Sequence, residues 1–286
     1  MESLAGTVMS GRAIAGAFLG LCLGLQACSS LQASSSGSAP QKLVITGSST
    51  VAPVASEIAK RYEAQNPQVR IDVQTGGSSR GIADVRQQVA DIGMVSRAAK
   101  PADQGLNFHT IAKDGVVVIV HRDNPIQSLT RQQITDIYTD KLNNWQDAGG
   151  KSQAITVVNK AEGRSTLEVF TQHFQLKSSQ IKADVVIGDN EQGIKTVAGN
   201  PLAIGYVSVG AAKVNVEQGT PIKVLPLEGV KATAQTVRDG SFPLSRPLNL
   251  VTQGPLNPQQ QKFIDFAQSS QVKDIVQEQS LVPVQE

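Results

Sequence analysis

The sequence predicts an α/β fold in which parallel sheets are covered by helices. Three observations predict it. Short apolar runs of strand length alternate with longer runs of helical period through most of the chain. Three small, hydroxyl-rich turns, at residues 47–50, 76–81 and 163–166, each stand between a strand-like run and a helix-like one. Neither a tandem repeat nor a coiled-coil heptad competes with that pattern.

Taken in order, residues 42–46 read as a buried strand. Residues 51–65 read as a helix, with Val54, Ile58 and Tyr62 on one face. Residues 69–75 alternate as a strand, and residues 82–89 form a short helix. Apolar strands follow at 91–95 and 115–120, then a helix at 130–138 and a strand at 155–158. The next elements are a helix at 166–174, a strand at 204–209 and a late strand at 246–252. Two helices close the chain between Pro258 and Ser280. The body after residue 40, about 245 residues, suits one large domain or two.

The first 40 residues are of another kind. Arg12 precedes an apolar run of about 13 residues, where a membrane span needs ~20. It fits the apolar region of a secretory signal, residues 1–27. The run ends in Leu25-Gln26-Ala27-Cys28, which is similar to the lipobox of bacterial lipoproteins. A small residue before a cysteine permits cleavage there and lipidation of the thiol, so Cys28 is the expected mature N-terminus and anchor. Cys22 lies inside the signal, which leaves the mature body no thiol for a disulfide or a metal. Residues 28–40, rich in Ser, Ala and Gly, read as a flexible tether.

Charge and composition exclude several partners. With 26 basic and 24 acidic residues, the formal net charge is +2, too even for a nucleic-acid partner, which needs a basic stripe. Aromatics at 4% leave little for stacking bases or sugars. His109, His121 and His173 are the only histidines, and none stands at metal-ligand spacing from another. Asp84, Asp91, Asp184 and Asp189 are dispersed. Gly163-Arg164-Ser165-Thr166 lacks the Gly-x-Ser-x-Gly elbow of hydrolases, and none of the turns is a Walker loop. Neither enzymatic activity nor a cofactor or metal is expected.

The turns themselves point to an anion. Gly47-Ser48-Ser49-Thr50, Gly76-Gly77-Ser78-Ser79-Arg80-Gly81 and Gly163-Arg164-Ser165-Thr166 each precede a helix start. Free backbone N–H groups and a partial positive charge collect at a helix start, and hydroxyls add donors. Ser78 and Thr166 also have a simpler reading as N-caps. Three such turns, two of them with an adjacent arginine, favour a shared oxyanion site over three separate caps.

The wording of these segments resembles the phosphate-binding proteins of phosphate ABC transporters. The resemblance lies in residues 45–54, 76–82 and 91–97, in Leu129-Thr130, Ile137-Tyr138, Asn144-Trp145 and Gly149-Gly150, and in residues 161–170, 203–208 and 245–251. It covers nearly all of the mature chain, in order. It implies a two-lobed type II periplasmic-binding-protein fold with the ligand in the cleft between lobes. Lobe 1 would be residues 40–119 and 247–286, and lobe 2 residues 120–246, with crossings near 118–121 and 246–248.

The resemblance further implies that Ser49, Thr50 and the amide of Val51 form the first anion-binding turn. Ser78 falls in the second turn, Ser96 follows the strand at 91–95, and Arg164, Ser165 and Thr166 form the third. Two departures stand out. The family's Ser-Gly-Thr is here Arg164-Ser165-Thr166, and a family arginine a few residues upstream falls near Lys160. Arg164 or Lys160 therefore supplies the positive charge, with Glu162 as a candidate partner of Arg164. Where a better-known branch places an Asp that accepts the proton of hydrogen phosphate, this chain has Ser96-Arg97. Serine donates or accepts, so sulfate, molybdate and arsenate stay open beside phosphate. The expected partners are inorganic phosphate, a membrane permease and, through Cys28, the membrane itself. The expected form is an exported monomer. A sensor or adhesion protein on this fold would keep the same cleft.

Overall fold

In a computed structural model, residues 41–284 are described. The signal, Cys28 and the whole of the tether lie outside them. β1 (Gln41–Gly47) leads through the first turn into α1 (Ala52–Gln65), which buries Val54, Ile58 and Tyr62 as the spacing requires. β2 (Val69–Thr75), α2 (Ser78–Arg86) and β3 (Ile92–Val95) follow, and β1 pairs in parallel with both β2 and β3. α2 starts at Ser78, not at residue 82, because Gly77 ends the turn early with a φ of 96°.

β4 (Leu106–His121) runs far beyond the apolar stretch at 115–120, since its first half pairs antiparallel with β9 (Ser245–Gln253). Between them come α3 (Arg131–Tyr138), β5 (Thr156–Lys160), α4 (Ser165–Phe174), β6 (Val185–Ile187) and α5 (Asn190–Ala198). β7 (Ala203–Ser208), α6 (Val209–Glu217), β8 (Ile222–Val224) and α7 (Ala234–Arg238) complete that stretch. α8 (Pro258–Ala267), α9 (Lys273–Glu278) and the short β10 (Val282–Pro283) end the described chain.

The sheet order is β2-β1-β3-β9-β4-β7-β5-β6, with β8 and β10 also on β4. Pairing is parallel toward both ends of that order and antiparallel around β4 and β9. The expected parallel sheets are thus found where crossover helices connect the strands. The two long strands have no such constraint and run opposite to their neighbours.

Two apolar cores hang on this sheet. The first gathers Leu43, Ile45, Ile58, Met94, Leu250 and Phe263. The second gathers Tyr138, Phe170, Ile204, Tyr206 and Phe242, with the rings of Phe170 and Tyr206 stacked 4.0 Å apart. β4 gives Ile111 and Ala112 to the first core and residues 116–120 to the second. At the other crossing, Leu244 packs in the second core and Leu248, on β9, in the first. Between these pairs of positions Asp114 and Arg246 stand directly opposite in register.

Candidate functional site

The three hydroxyl-rich turns meet where the two cores face each other. Each precedes a helix, yet none of α1, α2 and α4 has a side-chain cap: their N-cap residues are Val51, Gly77 and Arg164. Of the other six α-helices among the described residues, only α9 shares this lack. Thr130, Asp189, Ser208, Thr233 and Asn257 accept first-turn N–H groups of α3, α5, α6, α7 and α8. The capping reading of Ser78 and Thr166 therefore does not hold. At the starts of α2 and α4 the partial positive charge meets no capping side-chain oxygen, whereas the amides just before α1 are held by Ser48 Oγ.

The side chains are engaged with one another. Ser48 Oγ accepts from the amides of Thr50 (3.2 Å) and Val51 (3.4 Å) and donates to Ser96 Oγ (3.0 Å). The Val51 amide, expected to face the ligand, is thus turned toward Ser48. Ser78 Oγ accepts from the amide of Ser96 (3.3 Å). Ser49 lines a neighbouring cavity of about 460 Å³ beside Asp189 and Asn190. Ser165 Oγ is buried with no partner among the described residues, a condition that costs ~1–3 kcal/mol inside a protein.

Arg246 ties the turns together. Its guanidinium is buried and ion-paired with Asp114 at 2.9 Å, also buried. Nη2 donates to Thr50 Oγ1 (3.2 Å), and Nη1 donates to Thr166 Oγ1 (3.0 Å) and to Ser96 Oγ and its carbonyl (3.4 Å each). A single fork thus reaches hydroxyls carried on both sides. Asn190 makes a second bridge, donating from Nδ2 to Thr50 Oγ1 (3.1 Å).

Two further cations lie here without a carboxylate partner among the described residues. Lys160 is buried; its Nζ donates to the Asp189 carbonyl (2.6 Å) and to Asn190 Oδ1 (3.2 Å). Burial pushes its ammonium down to about 7; Asp189 opposes the fall, and Arg246 and Arg164 add to it. Arg164 Nε is buried and unpartnered. Glu162, its expected partner, is exposed, and no ion pair joins the two among the described residues.

The turns also touch directly. Ser79 donates its amide to the Gly163 carbonyl (3.2 Å), and a Cβ on Gly77 would lie 2.8 Å from that carbonyl and 2.9 Å from Arg164 Cδ. At the rim, Glu168 on α4 accepts from Lys100 and Ser79 and lies 2.9 Å from Arg97 Nε.

Of the residues expected from the sequence, Thr50, Ser96 and Thr166 share the Arg246 guanidinium, Ser78 bonds the Ser96 amide and Arg164 lies beside Gly77, while Ser165 Oγ makes no hydrogen bond among the described residues. Arg246, Asp114 and Asn190 were not expected from the sequence. The signal for the first two was present: each is a charge set in or beside an otherwise apolar strand run. Among the described residues there is no cluster of three metal-ligating side chains and no helix long and apolar enough to cross a membrane.

Comparison with known proteins agrees with this architecture. The PBP superfamily domain profile matches residues 34–271. A Clostridium perfringens protein, assigned as a phosphate ABC transporter substrate-binding protein and solved with bound phosphate, is 32% identical with a TM-score of 0.80. The match covers 86% of this chain and 100% of that one. An ABC-type phosphate transport receptor from Vibrio cholerae is 29% identical, with a TM-score of 0.70 over 84% of this chain and 99% of the other. The phosphate-binding protein PstS of Bacillus subtilis (strain 168) is 28% identical over 247 residues, 85% of this chain and 80% of that protein. By the profile match and by its likeness to the C. perfringens protein along that protein's whole length, this chain belongs to the PBP superfamily, in the family of phosphate ABC transporter substrate-binding proteins with the two-lobed type II fold.

Proposed function

We propose that this chain is the substrate-binding component of a phosphate ABC transporter and that inorganic phosphate is held among Ser49, Thr50, Ser78, Ser96, Arg164, Ser165 and Thr166. The observation that carries the reading is the convergence of two uncapped helix starts, those of α2 and α4, and the Thr50 turn with two cations that have no carboxylate partner among the described residues. Burying an anion is tolerable only where many fixed donors share its charge. Residues 40–119 with 247–286, and residues 120–246, act as the two lobes. Two separate cores support a division of this kind, although residues 116–119 pack in the second core and favour a first crossing nearer Asp114 than 118–121.

The lobes close over the anion with no bond made or broken, and the closed form docks on a membrane permease. Phosphate stabilises closure only by its differential affinity for the closed state. The purified protein is expected to hydrolyse no phosphate ester; turnover that vanishes with Thr50→Ala would overturn the binding reading. Cys28 is the lipidated N-terminus of an exported form, so Cys28→Ala should release the protein from membranes or leave it unprocessed. A soluble, unmodified wild type starting elsewhere would contradict that.

The charge assignment is testable by calorimetry with phosphate. The unpartnered Arg164 Nε favours Arg164 as the bidentate contact. Truncating one partner of a buried charge pair removes ~2–5 kcal/mol, so Arg164→Ala should weaken phosphate about 30-fold or more. If Lys160→Ala abolishes binding while Arg164→Ala stays within about threefold of wild type, the charge belongs to Lys160.

A further inference from the structure

The bonds around Arg246 fix which way the neighbouring hydroxyls point. A hydroxyl has one proton and two lone pairs. Thr50 Oγ1 accepts from Arg246 Nη2 and from Asn190 Nδ2, which fills both. Ser96 Oγ accepts from Ser48 Oγ and from Arg246 Nη1, and is filled likewise. Thr166 Oγ1 takes one bond from the same guanidinium.

The far ends of the network keep this polarity from reversing. Asn190 Oδ1 accepts from Lys160 Nζ and from the Ser208 amide, so the Asn190 NH₂ must face Thr50. Ser48 Oγ already accepts from two amides, so its proton goes to Ser96. Asp114 Oδ2 accepts from both Nε and Nη2 of Arg246 and holds the fork in place. The hydroxyl protons of Thr50 and Ser96 have no acceptor among the described residues.

We propose that Arg246, clamped by Asp114, is a positioning residue: by filling lone pairs on Thr50, Ser96 and Thr166 it makes these hydroxyls meet the anion as donors and thereby selects bare, unprotonated oxygens. The inference rests on the anion site proposed above and assigns its selectivity. At Thr50 and Ser96 the cleft has no lone pair left for a ligand proton, so these contacts do not reject sulfate.

The test is competition calorimetry of sulfate against phosphate on the purified full chain, for wild type, Arg246→Lys and Asn190→Ala. Sulfate is expected to displace phosphate from the wild type at millimolar concentration. Arg246→Lys keeps a cation opposite Asp114 but lacks the fork that reaches three hydroxyls. The freed lone pairs then accept the proton of hydrogen phosphate. Sulfate affinity should fall about fivefold or more beyond any fall for phosphate, within what one redirected hydrogen bond is worth. Asn190→Ala leaves the Asp114–Arg246 pair intact, frees a lone pair on Thr50 and should move the ratio the same way; it decides the matter if the lysine variant does not fold. The inference is overturned if sulfate fails to compete in the wild type, or if the folded variants weaken both anions equally. A wild type that binds neither anion overturns the anion site itself, and this inference with it.

Discussion

Lys160 is a buried lysine, and its burial has a consequence for pH. Burial brings its ammonium from 10.5 to about 7, with Asp189 and Glu191 holding it up and Arg246 and Arg164 pushing it further down. Between those two values the unfolded chain binds a proton that the folded chain does not, so folding stability rises with pH across that window. An anion held at the proposed site should restore the charge on Lys160. Binding should therefore take up a proton on the alkaline side of neutrality, and affinity should fall as pH rises there. Calorimetry in two buffers of different ionisation heat measures the uptake. It should vanish in Lys160→Met, and uptake that persists in that variant would place the proton elsewhere. At this scale the sequence made Arg164, Ser165 and Thr166 legible, because a turn before a helix is a local pattern. Arg246 was not, because its role depends on a register with Asp114 that joins strands 132 positions apart.

The helix starts give a sharper contrast. Thr130 on α3 is a true cap, with a capping box closed by Gln133, so Thr130→Ala should lower stability by ~1 kcal/mol and leave anion binding unchanged. Ser165 caps nothing, and its buried hydroxyl has no partner among the described residues. Ser165→Ala should leave the melting temperature unchanged or raise it, while phosphate affinity drops. A loss of stability equal to that of Thr130→Ala would show that Ser165 is an ordinary cap after all. Gly77 joins the second turn to the third. Gly77→Ala would put a Cβ into the Gly163 carbonyl at a φ of 96°, a conformation that costs an L-residue ~1–2 kcal/mol. Thermal unfolding should show that strain, with a larger fall in affinity, since the clash lies between the two turns. Long elements with strong periodicity, such as α1 and β2, were readable from the sequence within a residue. α5 was not: its capping Asp189 and its buried Ile194 and Val197 sit in a stretch whose apolar residues are too few to stand out.

Across the described residues, two cores share one sheet; β4 and the stretch into β9 pass between them through the Asp114–Arg246 register, and the C-terminal segment touches both through Leu281 and Val282. Strand and helix alternation predicted the layers but not the discontinuous layout, because the return of β9 to the first core is a long-range pairing. Glu168 closes the rim by drawing Lys100, Arg97 and Ser79 to one carboxylate. Part of that cluster is exposed, so Glu168→Gln should speed anion release only modestly, about twofold to fivefold, and less at high salt. The central claim is that the closed cleft holds one tetrahedral oxyanion between its two sides. Titration of the full chain with phosphate tests it most directly. The account predicts saturable heat with one anion per chain; no heat and no thermal shift at millimolar phosphate would contradict it.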